Sequence, residues 1–389
     1  MTAANDVRVP YQLVRGGTSK CHVFAMSDVP IGSARDDFLL RALGSPDPRQ
    51  IDGLGGATSL TSKALLVRPA TLGERPAVVT FLFAQVSVVK AAVDYGGTCG
   101  NCTAAVAVHA IEARLVPPVE PVTSVRIHNL NTDSMITVDV PVADGHVRTS
   151  GDEVIAGVPG SGAAIKLWFE TPVGALSGRL MPTGQPQDQV SLTDRDVTVS
   201  ALDVVNPVAF VQANDVGGVG TELPIELVEQ TEVLRRLLEV RAWLATSLNL
   251  VKDPAQADVI TPGLPKVAMV THPCDYATID GDVVRATEVD LLARTLSMGV
   301  PHAAFALSSA ICTAVAATIP NTTVGMVTGP LKTKPSATGS EVRVRIGHPS
   351  GVIVVDLDLD IQGQVQRAGV VRTARLLVDG IAIVRSPGE

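Results

Sequence analysis

A cysteine in a glycine-rich turn is the first group in this sequence that could carry out chemistry. Cys99 lies in the stretch DYGGTCGNCTAAVAVHAI, where Gly96, Gly97 and Gly100 would let the backbone approach a ligand closely. The uncharged segment that follows predicts a helix, which Asn101 would cap. A helix N-terminus attracts anions and lowers the pKa of a nearby thiol. We interpret Cys99 as a nucleophile or a proton donor and acceptor, the alternative being a buried structural cysteine.

The same turn also fits a C-x-x-C motif, Cys99 to Cys102, which raises the alternatives of redox chemistry or zinc binding. A structural zinc site needs a second ligand pair, and Cys274 and Cys312 are isolated in the sequence. A thioredoxin-like motif belongs in a short βαβ unit, whereas this helix is apolar and rich in alanine. We therefore predict no metal site and do not favour a redox role for this motif. The scattered, odd number of cysteines indicates a reduced, cytoplasmic protein.

Two lysines are each the last residue of the same tripeptide, Thr-Ser-Lys, in a glycine-rich loop. The first loop, RGGTSK, begins at Arg15, and its backbone N–H groups and guanidinium could hold a carboxylate or phosphate. The second, DGLGGATSLTSKALLV, places Lys63 at the start of an apolar strand, where desolvation favours a neutral amine. The alternative for each lysine is an ordinary solvated side chain.

The second half of the chain contains fewer side chains that could take part in catalysis or substrate binding. The segment RIGHPSG places His348 and Ser350 in a turn that is either a second anion clamp or a hairpin corner. Ser308 and Ser309 precede another apolar segment, where they could cap a helix and hold a carboxylate.

The elements that must position these groups are mostly strands. β-Branched residues and alternation predict strands in AVVTFLFAQVSVV, SVRIHNLNTDSMITVDVPV, KVAMVTHP and EVRVRIGHPSGVIVVDLDLDI, with turns at LNTD and HPSG. A period of 3.6 residues predicts helices in ARDDFLLRALG, TEVLRRLLEVRAWLATSL and TEVDLLARTLSMG.

Two uncharged helical segments form a weak internal repeat, CTAAVAVHAI from Cys102 and CTAVAATIP from Cys312. A helix that is apolar all round must be enclosed, and in a strand-rich chain a curled sheet would enclose it. We therefore predict an α+β protein with two pseudo-symmetric domains, the alternative being chance similarity. The polar segment 182–198 marks the boundary between them, which gives domains 1–185 and 186–389. The C-terminal strand could also return to the first domain.

Composition excludes several classes of function. Apolar residues make up 46% of the 389-residue chain, the net charge is −8, and no basic stripe is interleaved with aromatic residues, so we expect no nucleic-acid partner. The N-terminal segment lacks the basic and apolar regions of a signal peptide. The long uncharged run 295–331 is broken by Ser, Thr and Pro, which favours a buried helix over a membrane span.

Five segments of the chain resemble, in the same order, the sequence blocks of the PrpF family: LVRGGTSK, DGLGGATSLTSKALLV, GTCGNCTAAVAVHAIEARLV, ICTAVAATIP and RIGHPSGVIVV. The family includes 2-methylaconitate cis–trans isomerases, 4-oxalomesaconate tautomerases, and methylitaconate and aconitate Δ-isomerases. The resemblance extends from Leu13 to Val384. It implies a diaminopimelate-epimerase-like fold, in which a sheet or barrel surrounds a central helix in each domain and the active site lies in the cleft between domains.

The resemblance also implies roles for particular residues. Lys63 and Cys99 would be the acid–base pair that moves a proton and a double bond in a small unsaturated di- or tricarboxylate, without a cofactor. Which of the two is the base, which polycarboxylate is bound and whether the protein is a homodimer stay open. The substrate-binding residues would be Arg15, Gly17, Thr18, Ser19, Thr61, Ser62, Gly100, Asn101, Ser308, Ser309, His348 and Ser350.

Two positions depart from the family pattern, in which a glycine is usual at Cys21 and a residue other than cysteine at Cys102. Two other functions also stay open. One is a non-catalytic accessory protein for an iron–sulfur dehydratase, which would need neither Lys63 nor Cys99. The other is a racemase or epimerase on the same fold, which would need a second cysteine opposite Cys99.

Overall fold

The computed structural model describes residues 6–71, 75–96, 99–170 and 172–386, and the chain divides into two compact units. The first unit comprises Met1–Trp168 and Val371–Glu389, and the second comprises Phe169–Val370. The division therefore falls earlier than the expected boundary after residue 185. The polar segment around that boundary belongs to the second unit because it forms an antiparallel strand pair there, Asp188–Ser191 with Asp196–Val204.

The first unit contains two helices among its described residues. Its elements are β1 (Val7–Gly16), β2 (Ser19–Ala25), a 3₁₀ turn (Met26–Asp28), α1 (Ser33–Leu43), β3 (Lys63–Pro69), β4 (Val79–Val86), β5 (Val93–Asp94), α2 (Gly100–Glu112), β6 (Val122–Asn129), β7 (Ser134–Ala143), β8 (His146–Val147) and the start of β9 (Ile165–Glu170).

The second unit contains the elements from the end of β9 to β21, which runs back into the first unit. They are β10 (Asp188–Ser191), β11 (Asp196–Val204), β12 (Asn206–Gln212), α3 (Ala213–Val216), α4 (Pro224–Glu229), α5 (Thr231–Ser247), a 3₁₀ turn (Pro254–Gln256), α6 (Ala257–Ile260), β13 (Lys266–Thr271), β14 (Tyr276–Ala277), β15 (Val283–Val284), a 3₁₀ turn (Ala286–Glu288), β16 (Leu291–Ser297), β17 (Val300–Pro301), α7 (Leu307–Ala317), α8 (Thr323–Val327), β18 (Lys332–Ser336), β19 (Gly339–His348), β20 (Gly351–Asp360) and β21 (Val365–Arg372). The last strand, β22 (Ala374–Val384), belongs to the first unit.

Strands of the first unit surround α2. β1 pairs antiparallel with β2 and β22, β2 runs parallel to β3, and β3 pairs antiparallel with β4. Every residue of α2 from Gly100 to Ile111 is buried. β1 approaches this helix so closely that a Cβ atom at Gly16 would lie 2.2 Å from the backbone oxygen of Asn101. A small residue at the end of β1 is therefore a packing requirement.

The second unit repeats this design around α7, whose residues from Leu307 to Ala317 are all buried. Its strands run antiparallel from β10 through β12, then parallel to β13, and β13 pairs with β16, which pairs in parallel with β19. The prediction of two enclosed apolar helices is confirmed. Neither helix could be stable with its apolar surface in water, because each buried aliphatic side chain contributes about 1.5 to 3 kcal/mol.

One predicted helix is wrong. The segment TEVDLLARTLSMG forms a 3₁₀ turn and then β16, because Leu291–Leu296 are buried between two neighbouring strands, β13 and β19. A strand buried on both faces loses the alternation that identifies it, so the short apolar run resembles a helix. The predicted turns at LNTD and HPSG are confirmed as the β6–β7 and β19–β20 connections. In the part of the chain that the structure describes, no helix is long and apolar enough to cross a membrane.

Candidate active site

The side chain of Lys63 is buried and contacts neutral groups. As the first residue of β3 it pairs with Cys21 of β2 and Gln85 of β4, and it is only 8% exposed. Its Nζ donates a hydrogen bond to Gln85 Oε1 and lies 5.4 Å from the centroid of the Phe83 ring. The Gln85 amide is oriented because its Nε2 donates to the Ser62 carbonyl at 3.0 Å. The oxygen of Gln85 is thereby fixed toward the lysine.

Cys99 immediately precedes α2, and its carbonyl accepts hydrogen bonds from the N–H groups of Cys102 (2.9 Å) and Thr103 (3.2 Å). Its half-buried Sγ lies 3.9 Å from Ser19 Oγ. A hydrogen bond with the Cys102 side chain, together with burial, raises the pKa of the Cys99 thiol well above its usual value. The charge of Lys63 acts in the opposite direction. The backbone N–H of Cys102, at the helix N-terminus, also lowers this pKa as expected, but the neighbouring thiol and burial outweigh it.

The two unusual cysteines contact each other beside this thiol. Cys21 Sγ lies 2.9 Å from Cys102 Sγ, and both residues are fully buried. Burial, followed by the hydrogen bond with Cys21, raises the pKa of Cys102, while the charge of Lys63 again lowers it. The thiols of Cys99 and Cys102 therefore both lie within electrostatic reach of the Lys63 amine. Among the described residues, no group of three or more His, Cys, Asp or Glu side chains is arranged to hold a metal ion.

Asn101 does not cap α2, because the helix begins at Gly100 and Asn101 already lies in its first turn. Its Nδ2 instead donates to Thr18 Oγ1 at 2.9 Å, and its Oδ1 accepts a hydrogen bond from Arg372 Nε at 2.9 Å. Gly17 packs against this amide with a φ of 49°, and a Cβ atom there would lie 2.3 Å from Asn101 Oδ1. The loop between β1 and β2 is thus tied to the start of α2.

Of the three glycines in the turn around Cys99, which are Gly96, Gly97 and Gly100, Gly97 lies outside the described residues.

Arg15 lies at the end of β1, where its Nη1 donates to the carbonyls of Gly17 and Thr373, both at 3.0 Å. Burial and the nearby Arg375 lower its pKa. Part of its hydrogen-bonding capacity is therefore used to hold the backbone of the loop.

The hydroxyl groups that precede Lys63 bond within their own loop. Ser62 is fully buried, and its Oγ donates to Gln50 Oε1 at 2.7 Å. The Thr61 hydroxyl lies 2.8 Å from that of Thr58, and its carbonyl accepts a hydrogen bond from His22 Nε2 at 3.1 Å. These contacts stabilise the loop that positions Lys63. The structure therefore brings together Thr18, Ser19, Cys99 and Asn101, with Lys63 in electrostatic range, while Thr61 and Ser62 are engaged elsewhere.

Ser308 and Ser309, in the second unit, lie in the first turn of α7 and do not cap it, because the helix begins at Leu307. Ser308 Oγ accepts a hydrogen bond from Asn206 Nδ2 at 3.0 Å. Ser309 is fully buried, and its Oγ has no partner among the described residues. A buried hydroxyl without a partner is costly, so this atom is a candidate for binding a ligand or water.

His348 and Ser350 form the hairpin between β19 and β20. His348 Nδ1 accepts a hydrogen bond from the Ser350 N–H at 3.2 Å, and its ring stacks on Phe305, with the centroids 6.5 Å apart. Ser350 Oγ donates to the Ala303 carbonyl at 2.5 Å. The hairpin is therefore attached to the segment that leads into α7.

Two residues of the site were missed from the sequence. Gln85 occupies an inward position in the alternation of β4, after Phe81 and Phe83, and a polar residue there is a usable signal. Arg372 gives no comparable signal, because its partner Asn101 lies 271 residues away in the chain.

Comparisons with known proteins identify the family to which the chain belongs. The family model described as PrpF protein matches residues 6–385. A 3-methylitaconate isomerase from Eubacterium barkeri is 40% identical, with 98% of each chain covered. A 4-oxalomesaconate tautomerase from Pseudomonas putida is 38% identical, with 97% of each chain covered. The predicted class of isomerase is confirmed, and the chain belongs to the PrpF family.

Solved structures agree with the predicted fold. A crystal structure of methylitaconate Δ-isomerase matches with a TM-score of 0.78 and 39% identity, covering 98% of this chain and 96% of that one. A hydroxyproline epimerase from Agrobacterium vitis matches with a TM-score of 0.53 and 12% identity, covering 98% of this chain and 94% of the other. At that identity the second match shows the fold alone. The α+β, diaminopimelate-epimerase-like fold is confirmed.

Proposed function

We propose that this protein isomerises a small unsaturated di- or tricarboxylate without a cofactor, with Lys63 as the proton acceptor and Cys99 as the proton donor. The observation that carries the proposal is that Lys63 pairs with Cys21, whose thiol contacts Cys102 in the first turn of α2, so that the charge of the lysine acts on the Cys99 thiol. The names of the relatives support this class of substrate, since methylitaconate and oxalomesaconate are both unsaturated carboxylic acids.

The environment of Cys99 supports its role as the acid. Because its pKa is raised, the thiol keeps its proton at neutral pH and can deliver it to carbon. Lys63 lies among neutral groups, Gln85 and the ring of Phe83, with no carboxylate among these contacts, and its amine accepts the proton that the substrate loses. After this transfer the lysine is charged and the thiol still holds its proton.

The two proton transfers are coupled through the electrostatic field. The charge on Lys63 lowers the pKa of Cys99, so proton removal from the substrate makes the thiol a better acid. The C–H bond next to one carboxylate breaks toward Lys63, the double bond shifts, and a new C–H bond forms with the proton of Cys99. The resulting ammonium–thiolate pair returns to its starting state by proton exchange with water, so no electrons are gained or lost.

Developing charge on the substrate needs positive potential around its carboxylates. The first N–H groups of α2 supply part of it, since they lie at the positive end of the helix dipole. Thr18 and Ser19 bring hydroxyl groups to the same place, with Ser19 Oγ 3.9 Å from the Cys99 sulfur. Gly100, the first helical residue, has no side chain that would cover this end of the helix.

The racemase alternative needs a second cysteine as its other acid. Cys312 is fully buried in α7 and its Sγ donates to the Leu202 carbonyl at 3.6 Å, which argues against Cys312 as that acid and leaves Cys274 as the other candidate. An accessory role would leave the paired amine and thiol without use.

The test is proton NMR in deuterated buffer with 3-methylitaconate, 2-methylaconitate, oxalomesaconate and aconitate. We expect wild-type protein to isomerise at least one of these acids and to incorporate solvent deuterium. Lys63→Met should lower both rates by about 10²- to 10⁴-fold, as should Cys99→Ala, because each removes one proton-transfer group.

The chain supplies a matched control in Lys20, the exposed lysine of the other Thr-Ser-Lys tripeptide. Lys20→Met removes the same charge and should leave both rates within about twofold, since ordinary surface substitutions have small effects. Full deuterium exchange in Lys63→Met would show that Lys63 is not the base.

A further inference from the structure

Arg372 is a buried cation without a carboxylate partner. It is the last residue of β21, is 7% exposed, and has no ion pair with an acidic side chain among the described residues. Arginine is rarely buried unless it is paired. Two other buried arginines follow that rule, since Arg236 pairs with Asp194 and Arg241 pairs with Asp258, both at 2.6 Å.

Arg294, buried in the second unit, also forms no ion pair with a carboxylate in the described part of the chain, but its guanidinium lies 5.1 Å from the Tyr276 ring centroid and donates to three backbone carbonyls. Arg372 uses fewer of its donors. Its Nε donates to Asn101 Oδ1 at 2.9 Å and its Nη1 to the Val371 carbonyl at 2.7 Å. Three of its five N–H groups, including both on Nη2, therefore have no partner among the described residues.

The guanidinium stays charged despite its burial. Burial lowers the pKa of Arg372 to about 10, while nearby Glu153 and Cys99 act in the opposite direction. The positive charge is therefore present at neutral pH and lies within electrostatic range of the proposed acid. Glu153 forms no ion pair with Arg372 among the described residues, so a bound anion would provide a closer counter-charge.

We propose that Arg372 binds one carboxylate of the substrate through its free Nη1 and Nη2 hydrogens, a point that rests on the proposed function above. Two parallel N–H groups match the two oxygens of a carboxylate, which makes such contacts strong and directional. The Asn101–Thr18 hydrogen bonds fix the rotation of the guanidinium, so the bound carboxylate is oriented relative to Cys99.

The experiment compares Arg372→Gln and Arg372→Lys with wild type on the acid that wild type turns over best. The control is Arg8→Gln, which removes one exposed positive charge from the same unit. We expect Arg372→Gln to lower kcat/KM by about 10- to 100-fold, mainly through KM, because a charge-assisted hydrogen-bonded contact is lost. The lysine variant should lose less, and Arg8→Gln should change neither constant.

A substrate analogue separates binding from a purely structural role. Methyl esters of the same acid, each blocking one carboxylate, are measured with wild type and with Arg372→Gln. For the carboxylate that Arg372 binds, esterification should cost wild type about tenfold and should cost the variant little. An equal penalty for every ester in both proteins, or an unchanged KM in the variant, overturns the inference.

Calorimetric binding of propane-1,2,3-tricarboxylate, a saturated acid that cannot isomerise, keeps this inference distinct from the proposed function. Wild type that binds this acid but isomerises none of the panel contradicts the function alone. In that case weaker binding to Arg372→Gln still supports the inference and equal binding overturns it. If Arg372→Gln does not fold, the calorimetric and ester measurements are made with Arg372→Lys. Binding and ester penalties equal to those of wild type would then count against the inference.

Discussion

Replacing Gly17 with alanine tests how tightly the loop between β1 and β2 is fitted to the start of α2. Gly17 has a φ of 49°, a region that residues with a Cβ atom adopt at a cost of about 1 to 2 kcal/mol. Its added Cβ would lie 2.3 Å from Asn101 Oδ1 and 3.0 Å from Arg372 Cδ. Both distances are shorter than van der Waals contact, so the Asn101 amide must move.

Moving that amide breaks two hydrogen bonds, one to Thr18 and one from Arg372. The neutral bond contributes about 1 kcal/mol and the charged one about 1.5 to 3 kcal/mol. With the backbone cost included, Gly17→Ala should lower the free energy of unfolding by about 4 to 6 kcal/mol.

Gly145 provides the matched control, because it has a φ of 72° and no neighbouring atom lies within 4 Å of the position that a Cβ would occupy. Gly145→Ala should therefore cost only the backbone contribution, about 1 to 2 kcal/mol. Urea unfolding followed by circular dichroism measures both variants, and kcat/KM is measured well below the unfolding transition. If Gly17→Ala is no less stable than Gly145→Ala and keeps its activity, the close fit between Gly17 and Asn101 is refuted.

Three other side chains have surroundings that predict a measurable effect. Cys102→Ala should lower the pKa of Cys99, because the hydrogen bond that raises it most is removed; the pH dependence of iodoacetamide alkylation at Cys99 measures this, and an unchanged profile contradicts it. His22 is buried and its pKa is lowered to about 4, against about 6.5 when unfolded, so the unfolded state binds more protons between these values. Stability should fall as pH drops from about 6.5 to 4, and urea unfolding of His22→Gln should show a shallower fall, by up to about 1.4 kcal/mol per pH unit. Ser309→Ala removes an unpartnered buried hydroxyl and should keep or raise the melting temperature, whereas Ser308→Ala removes a hydrogen-bond acceptor and should lower it; the opposite order would contradict this reasoning.

Local patterns in the sequence are sufficient for the main architecture. The two uncharged helices, α2 and α7, are recognisable because an all-apolar helix has to be enclosed, and enclosure by strands defines the fold. The glycine-rich turn before α2 identifies Cys99, and the repeated Thr-Ser-Lys tripeptide identifies Lys63. Each of these signals depends on neighbouring residues along the chain, which a single sequence displays directly.

The sequence does not show in the same way which strands are buried on both faces, or which polar side chains form hydrogen bonds with each other. The strand Leu291–Ser297 resembles a helix in the sequence because its buried neighbours, β13 and β19, come from other parts of the chain. Thr61 and Ser62 have residue types that suit substrate binding, yet their hydroxyls bond within the loop, since Gln50 and Thr58 fold back onto them.

The sequence by itself thus determined the family, the fold class and the two groups proposed for proton transfer, because those depend on short motifs and on local periodicity. Only the tertiary structure decided the direction of the pKa shift of Cys99 and the contact of Arg372 with the start of α2. Both follow from burial and from contacts between residues far apart in the chain, such as Arg372 with Asn101, and electrostatic effects of that kind exist only after the chain has folded.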